Sequence, residues 1–368
     1  MLVTSLLMLA RKGFGIKENH SDPVLDVTIG DIPDIKTANP RYVDIAFFGA
    51  HDANTGVLGD DAPLEPASNK ALKRFRPIII NYVKRYTKTQ TVSIYELLRK
   101  GCRFLHIKVT RFRDDWYTSH SLITGELRTH ILDILRFLGE HQDSGEIISI
   151  LFQPIYMAEF SLADLHDFLA SVKLDDKCLF DYVHYSTVDE LHESDDGLHV
   201  EDLHYSDIVK GTNTGLVLFE RRDQHYNDSW DARTTKYPFF FDMDQNAMHV
   251  WYNHSNPDLI DRDMNHVVKK IDNDHKLKNK LRMNQTQAAH TFKSFKDALS
   301  AMYEHSLLKI AEKHNIKIIS RPDFEKVLKA MPVFQVDFLT SDYGRFNEKA
   351  NKLIRQFNEK LVKSLLPN

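Results

Sequence analysis

The alternation of short apolar runs with longer amphipathic stretches predicts an α/β fold, and in particular a single-domain, distorted TIM barrel. About eight such strand and helix units follow residue 41, which favours a closed or nearly closed barrel over an open doubly wound sheet. No glycine-rich nucleotide-binding motif follows any apolar run, so the commonest functions of doubly wound sheets are excluded. The length of 368 residues is also compatible with one α/β barrel.

The predicted strands are the runs rich in β-branched or aromatic residues, and the predicted helices are the segments with apolar residues at helical spacing. The strands are Tyr42–Phe48, Arg103–Val109, Trp116–Ser119, Ile147–Phe152, Gly215–Phe219, His249–Tyr252, Lys317–Ile319 and Val333–Phe338. The helices are Ser93–Lys100, Leu127–His141, Ser161–Ser171, Phe292–Asn315 and Arg345–Leu366. Residues 1–40 lack a sustained period, so we predict an N-terminal extension over 1–40 and a catalytic domain over 41–368.

Composition and charge narrow the class of protein. Apolar residues make up 42% of the chain and charged residues 27%, as in ordinary globular proteins. The net charge of −4 gives no global electrostatic reason to bind nucleic acid. Two cysteines do not form a disulfide framework. No apolar run is long enough to cross a membrane. The apolar N-terminal stretch precedes its basic residues, which is the wrong order for an intact signal peptide.

The candidate catalytic residues follow the predicted strands, because catalytic residues of α/β barrels lie at the C-terminal strand ends. His51 and Asp52 follow the first strand, and His120 follows the third. Asp337 interrupts the apolar pattern of the last strand. Taken alone, each has a structural explanation, such as a helix N-cap for Asp52. Their joint position at strand ends predicts a catalytic site.

The second strand adds an interior cation. Side chains alternate between the two faces of a strand, so Phe104, His106 and Lys108 share the face that points into the barrel. A lysine inside a barrel is costly unless it meets an anion. Two histidines, a lysine and two carboxylates suit phosphodiester cleavage, in which one histidine accepts a proton, the other donates one, and the cation stabilises the phosphoryl oxygens.

These segments resemble the X region of the phosphatidylinositol-specific phospholipases C, over roughly residues 40 to 340. Phe48-Gly49-Ala50-His51-Asp52-Ala53 is similar to the family's PGTHDS element, and Gly101-Cys102-Arg103-Phe104 lies in a segment similar to its GiRylDlR element. Tyr117–Thr124 resembles the HG segment, and Asp337-Phe338 resembles the late DF or DY strand. The resemblance is nearest to the X-domain-only and bacterial members.

The resemblance implies a role for each strand-end residue. His51 would deprotonate the 2-hydroxyl of inositol, with Asp337 orienting its ring. His120 would protonate the diacylglycerol oxygen, and Asp52 would bridge His120 to the cation. Lys108 occupies the position of an arginine in bacterial members. The implied products are diacylglycerol and a cyclic inositol phosphate, and no cofactor is implied.

Three positions depart from the family pattern. His106 stands where an acidic residue is usual, Lys108 replaces arginine, and Ser121 replaces the glycine after the second histidine. Lysine lacks the planar fork that binds phosphate through two parallel hydrogen bonds. His106 and Lys108 also disfavour calcium, which prefers oxygen ligands. We therefore predict no metal ion.

Residues after the later strands are candidates for headgroup binding. We predict substrate contacts for Gln153, Arg222, Tyr252 and Asn284, with Arg221 as the alternative to Arg222 if the register shifts by one. The expected partners are phosphatidylinositol or a related phospholipid and, transiently, a membrane surface. No nucleic-acid partner is expected, and the chain is expected to be a monomer. The expected location is peripheral at a membrane surface, either extracellular or cytoplasmic.

Two alternatives stay open. A glycerophosphodiesterase-like enzyme would use a similar barrel, but it needs acidic metal ligands where this chain has His106 and Lys108. A catalytically weak lipid- or phosphate-binding module of the same fold is the other alternative, and the departures at positions 106, 108 and 121 motivate it. Metal dependence separates the first alternative from the leading prediction, and turnover separates the second.

Overall fold

A curled ten-stranded sheet organises the chain. The computed structural model describes residues 29–68, 73, 80, 83–156, 161–186, 198–221, 238–252, 254, 256–286, 307–341 and 345–367. The strands are β1 Phe47–Ala50, β2 Phe104–Phe112, β3 Asp115–His120, β4 Leu122–Glu126, β5 Ile147–Tyr156, β6 Gly215–Glu220, β7 Phe240–Asp242, β8 Ala247–Trp251, β9 Leu281–Gln285 and β10 Val333–Val336.

Eight of these strands form one parallel sheet in the order β7-β6-β5-β2-β1-β10-β9-β8. Strands β3 and β4 extend from β2 as an antiparallel excursion. The order follows the chain around the curl, and the first strand, β1, pairs with the last, β10. In the described part of the chain, β7 and β8 do not pair and form the two ends of the sheet. The architecture is therefore the predicted distorted TIM barrel, left open between β7 and β8.

Helices surround this sheet; most cover its outer face, and three short ones contribute side chains to the apolar cluster of the inner face. They are α1 Ile35–Ala38, α2 Ile94–Arg99, α3 Leu127–Glu140, α4 Leu162–Ser171, α5 Tyr205–Ile208, α6 Met243–Asn246, α7 Pro257–Asp272, α8 His275–Lys278, α9 Leu307–Ile319, α10 Phe324–Ala330 and α11 Phe346–Leu365. Short 3-10 turns span Tyr42–Asp44, Ala53–Thr55, Leu179–Tyr182 and Val200–Asp202. Helix α6 contacts both β7 and β8. None of the described helices combines the length and the apolar character needed to span a membrane.

The two faces of the sheet bury different sets of side chains, because successive residues of a strand point to opposite faces. The outer face packs against the helices through a large core that includes Phe48, Leu105, Ile150, Leu218 and Phe334. The inner face forms an apolar layer that includes Phe47, Phe104, Leu151, Phe219 and Met283. Further along the same strands the inner face becomes polar, so the apolar layer forms a floor beneath the strand ends.

Residues 29–40 also contribute to this core. Ile29, Ile32 and Ile35 are buried in the inner apolar cluster. The backbone N–H of Ile29 donates to Oε1 of Glu146 (3.1 Å), and Glu146 accepts a second bond from Arg103 (2.6 Å). The boundary between an N-terminal extension and a catalytic domain at residue 41 stays a prediction, but the part of 1–40 that the structure describes is packed.

One strand prediction is wrong in part and another is wrong throughout. Within the predicted strand Tyr42–Phe48, Tyr42–Asp44 is a 3-10 turn and the strand begins only at Phe47. The predicted strand Lys317–Ile319 is the last turn of α9, Leu307–Ile319. Its isoleucines are buried because they continue the apolar face of that helix, and three residues are too few for periodicity to distinguish the two structures.

Strands β4, β7 and β9 are not among the eight predicted strands, and one predicted helix is described only in part. Strand β9 carries the polar sequence Leu-Arg-Met-Asn-Gln, which lacks β-branched residues, and β4 follows β3 after a single residue. Strand β9 therefore lacks the usual strand signal, and β4 lacks the turn segment that would separate it from β3. The helix predicted over Phe292–Asn315 is observed from Leu307, and its earlier part lies outside the described residues.

Candidate active site

The junction of β1 and β10 positions the first candidate pair. Ala50 is opposite Val336 in these parallel strands, so the residues that follow them, His51 and Asp337, are neighbours. Nδ1–H of His51 donates to Oδ1 of Asp337 at 2.9 Å. This bond leaves Nε2 of His51 as the acceptor nitrogen. The Gln90 side-chain amide donates to the carbonyls of His51 (2.9 Å) and Val336 (3.0 Å), which fixes both strand ends.

Asp52 is the centre of the polar cluster and is 0% exposed. Its Oδ2 accepts a hydrogen bond from Nζ of Lys108 at 2.9 Å and lies 3.3 Å from Nδ1 of His120 and 3.4 Å from Nε2 of His51. Its Oδ1 lies 3.4 Å from Nδ1 of His106. Burial by itself would raise the pKa of Asp52, but these four basic side chains together hold it well below its ordinary value. Asp52 is therefore a buried anion surrounded by basic groups.

The backbone of Asp52 adopts a left-handed conformation, with φ of 43° and ψ of 55°. Such a conformation costs about 1–3 kcal/mol for a residue other than glycine and persists only where its surroundings enforce it. Here the carbonyl of Asp52 accepts bonds from the backbone N–H and the hydroxyl of Thr55, both at 3.0 Å. The turn directs the carboxylate under the barrel mouth, between the ends of β1, β2 and β3.

His120 ends β3 and, like His51, lies beside the carboxylate of Asp52. Its Nδ1–H donates to the carbonyl of Thr87 at 2.9 Å, so Nε2 is the nitrogen available for a ligand. Burial lowers the pKa of His120 to about 4, more than the nearby Asp52 raises it. The rings of His51 and His120 have centroids 6.2 Å apart and are nearly perpendicular. They can therefore approach one small group from two directions.

His106 and Gln153 form a hydrogen-bonded pair on the inner faces of β2 and β5. Nε2–H of His106 donates to Oε1 of Gln153 at 2.7 Å, and burial lowers the pKa of His106 well below its ordinary value. The inner-face positions expected for His106 and Lys108 are observed. Gln153 is therefore part of the cluster, through His106, while its contact with a substrate stays a prediction.

The remaining predicted substrate contacts lie elsewhere. Tyr252 and Asn284 face the helices, where the Tyr252 hydroxyl donates to Oδ1 of Asn284 (2.8 Å) and the Asn284 amide contacts Sδ of Met264 (3.6 Å). The prediction that these two residues contact the substrate is corrected, because strand alternation places both on the outer face. Arg222 lies outside the described residues. Its alternative, Arg221, is 3.5 Å from Asp244.

The structure adds two residues that the sequence analysis did not select. His249 lies on the inner face of β8 and is bonded to Gln285, and burial lowers its pKa to about 4. Alternation could have identified it, because Val250 and Tyr252 occupy the outer face. Glu65 is half-buried and is bonded to Ser119; burial raises its pKa, while Lys108 opposes the shift. Glu65 lies in a loop, where no periodicity marks it.

The fold and the cluster define a class of protein: an α/β barrel with histidines, carboxylates and a lysine at its C-terminal strand ends. Among solved structures the chain is similar to a phosphatidylinositol-specific phospholipase C from Listeria monocytogenes (16% identity, TM-score 0.50, 91% of this chain and 96% of that one). It is similarly close to the enzyme of that name from Staphylococcus aureus (14%, TM-score 0.55, 89% and 95%). These likenesses confirm the predicted fold.

The sequence comparison points the same way over a shorter stretch. The chain is 24% identical over 111 residues to a PI-PLC X-box domain-containing protein of Dictyostelium discoideum, which is 30% of this chain and 14% of that relative's length. The chain thus matches only a small part of the relative. No family model matches the chain. The resemblance predicted from the sequence motifs is confirmed, at low identity.

Proposed function

We propose that this protein is a phosphodiesterase that cleaves phosphatidylinositol-type lipids to diacylglycerol and a cyclic inositol phosphate. The observation that carries the proposal is the arrangement of His51, Asp337 and His120 around the Asp52–Lys108 pair. The solved neighbours with the same fold are named phosphatidylinositol-specific phospholipases C, and the Staphylococcus aureus protein is described by its membrane binding. A lipid substrate at a membrane surface follows from the proposal, and a monomer remains our expectation.

In the first step, His51 acts as the base. Nε2 carries the lone pair, because Nδ1–H is donated to Asp337. It accepts the proton of the inositol hydroxyl next to the phosphate, and the resulting oxygen attacks phosphorus. Asp337 then stabilises the imidazolium that forms. The new P–O bond closes the cyclic phosphate.

Lys108 stabilises the charge that builds on the non-bridging oxygens. Its ammonium group is partly exposed and lies 2.9 Å from the buried Asp52 carboxylate, which holds it at the mouth of the barrel. A fixed cation in a site that is largely shielded from water stabilises a developing anion more than water does. Asp52 thus positions Lys108 for this role.

His120 completes the reaction as the acid. As the bond between phosphorus and the diacylglycerol oxygen breaks, Nε2–H of His120 donates a proton to that oxygen. Burial lowers the pKa of His120 to about 4, so before substrate binds the ring is neutral at pH 7. The bound phosphate is an anion and favours the imidazolium, which raises the pKa toward the value that an acid needs.

A phosphate-binding module without turnover is the second candidate. The observation that favours it is that Lys108, the cation nearest Oδ2 of Asp52, is already paired with that carboxylate. Binding of a phosphate would then compete with Asp52 for Lys108. This candidate predicts affinity for inositol phosphates but no product.

The test is to incubate the protein with phosphatidylinositol in mixed micelles, in excess chelator, and to follow the phosphorus NMR signal of the water-soluble product. We expect a cyclic phosphodiester, and we expect His51→Ala to lower the rate by roughly 10²–10⁴. His204→Gln serves as a matched control, because His204 lies on the surface outside the cluster. Absence of product with and without added calcium would contradict the proposal and favour the binding module.

A further inference from the structure

Two buried polar atoms at the centre of the cluster face each other without a hydrogen-bond partner in the described part of the chain. They are Oδ1 of Asp52 and Nδ1 of His106, 3.4 Å apart, in side chains that are essentially inaccessible to solvent. Nε2–H of His106 is donated to Gln153. Nδ1 therefore presents a lone pair to a carboxylate oxygen. Leaving buried polar atoms unpaired is costly, and a cation between them would satisfy both.

A third lone pair lies beside these two. Nε2 of His51 is the acceptor nitrogen, because Nδ1–H is donated to Asp337, and it is 3.4 Å from Oδ2 of Asp52. Ligand atoms of His51, Asp52 and His106 all lie within 4.8 Å of one another. In tetrahedral Zn²⁺ sites with bonds of about 2.0–2.1 Å, neighbouring ligand atoms are about 3.4 Å apart.

The surroundings of the two imidazoles match those of metal ligands. A ligating histidine usually donates its second N–H to a carboxylate or a carbonyl, which fixes the tautomer and orients the lone pair. His51 donates to Asp337 at 2.9 Å, and His106 donates to the side-chain carbonyl of Gln153 at 2.7 Å. Two imidazoles with one carboxylate favour Zn²⁺ or Co²⁺ over Ca²⁺ and Mg²⁺.

We propose that His51, Asp52 and His106 form a site for a divalent transition-metal ion such as Zn²⁺, and that the bound ion inhibits the protein. Binding of the ion stands on this geometry alone. Inhibition rests on the proposed function, because the ion occupies the Nε2 lone pair with which His51 accepts the substrate proton. The site would thus switch between an ion-bound resting form and an ion-free form competent for proton transfer.

Lys108 repels the ion, so removing its charge and removing a ligand should change the affinity for the ion in opposite directions. Its ammonium lies 2.9 Å from Oδ2 of Asp52, so it repels a divalent cation and competes for the same carboxylate. Removing this charge with Lys108→Met should tighten the binding of the ion, whereas removing a ligand with His106→Gln should weaken it. A surface histidine would respond to neither change.

The experiment is a titration of the chelator-treated protein with Co²⁺, followed by the visible absorption of the ion, with Zn²⁺ added afterwards to displace it. We expect Co²⁺ to bind at one site and Zn²⁺ to displace it. His106→Gln should weaken the affinity for Co²⁺ roughly tenfold or more, because one of three protein ligands is lost. Lys108→Met should tighten the site, by roughly tenfold for a like charge at this distance. The control His204→Gln should leave the affinity unchanged.

Binding that is equal in His106→Gln, or that is not tightened in Lys108→Met, would overturn the site. Far-UV circular dichroism checks that His106→Gln is folded, and Lys108→Met keeps the test decisive if it is not. Turnover of the chelator-treated protein, assayed after the chelator is removed and with or without added Zn²⁺, tests the inhibition. Turnover with no Zn²⁺ binding overturns this inference and leaves the proposed function intact. Zn²⁺ binding without turnover in chelator overturns the proposed function and leaves the site.

Discussion

Asp337 accepts a hydrogen bond from His51 across the junction of the first and last strands, although the two residues are 286 positions apart in the chain. The parallel pairing of β1 with β10 brings them together. Burial raises the pKa of Asp337, and the hydrogen bond from His51 opposes that shift. The bond therefore connects the pairing of the first and last strands to the ring orientation of the proposed base.

Replacing Asp337 with asparagine tests this connection. An asparagine side chain cannot stabilise a charged imidazole, and its amide can hold the wrong tautomer of His51. We expect Asp337→Asn to lower kcat by roughly 10²–10⁴ while the circular dichroism spectrum is unchanged. The measurement is turnover of phosphatidylinositol in chelator. A rate within a few-fold of the wild type would show that Asp337 does not orient the base.

Substitutions of Lys108 separate charge from shape. Lys108→Met removes the cation and should lower the rate by roughly the same 10²–10⁴ expected of a main electrostatic contact. Lys108→Arg keeps the charge and adds a planar fork suited to phosphate, so this variant should retain activity. The two variants are compared in the same micellar assay. Equal losses in both would mean that the length of the lysine side chain, and not its charge, is essential.

The titration of His120 should depend on bound anions. In the free protein burial lowers its pKa to about 4, so the ring should be neutral at pH 6. An inositol phosphate close to Nε2 stabilises the imidazolium and should raise the pKa. Proton NMR of the imidazole, recorded with and without the ligand, measures both values. A pKa that does not rise would contradict the assignment of His120 as the acid.

Ser121 tests backbone strain beside the site. It has a φ of 62°, in the left-handed region that favours glycine, at the position where the resembling family has glycine. Glycine relieves the strain in the folded chain, but it also gives the unfolded chain more conformational entropy. We expect the net effect of Ser121→Gly to be a rise of about 0.5–1 kcal/mol in the free energy of unfolding. Ser121→Ala keeps the strain and is the matched control. Stabilisation by alanine as well would exclude the backbone explanation. Urea denaturation measures both.

His130 predicts a pH dependence of stability. It is buried in α3, neither ring nitrogen has a hydrogen-bond partner among the described residues, and burial lowers its pKa to about 4. Between pH 6.5 and 4 the unfolded chain binds a proton that the folded chain does not, so stability falls as the pH decreases through this range. His130→Leu should reduce this fall, measured as the difference between urea midpoints at pH 7.5 and pH 5. An unchanged difference would exclude His130 as a cause.

The catalytic candidates could be predicted from the sequence because they follow directly from strand ends and strand alternation. His51, His120 and Asp337 each end a strand with a clear apolar pattern, and alternation places Lys108 on the inner face. Tyr252 was misplaced although the same rule applied to it: its strand contains His249 on one face and Val250 on the other. Tyr252 lies at a strand end, but its side chain points to the outer face, where it bonds to Asn284.

Other features depend on tertiary context that the sequence does not display. Strand β9 is polar because Gln285 bonds to Gln335 in the interior while Arg282 bonds to the Val43 carbonyl. Ile318 and Ile319 form the last turn of α9, but the sequence of these β-branched residues, taken alone, is typical of a strand. The unpaired Oδ1 of Asp52 is created by the fold, since it depends on the ring orientation of His106.

The pairing of β1 with β10 also bears on the order in which the protein matures during synthesis. Asp52, Lys108 and His120 leave the ribosome early, whereas Asp337 follows His51 only after 286 positions. A nascent chain can therefore assemble the buried ion pair long before it can orient His51. Until the last strand is added, Nδ1–H of His51 has no carboxylate to donate to, so the proposed base is the last part of the cluster to be positioned.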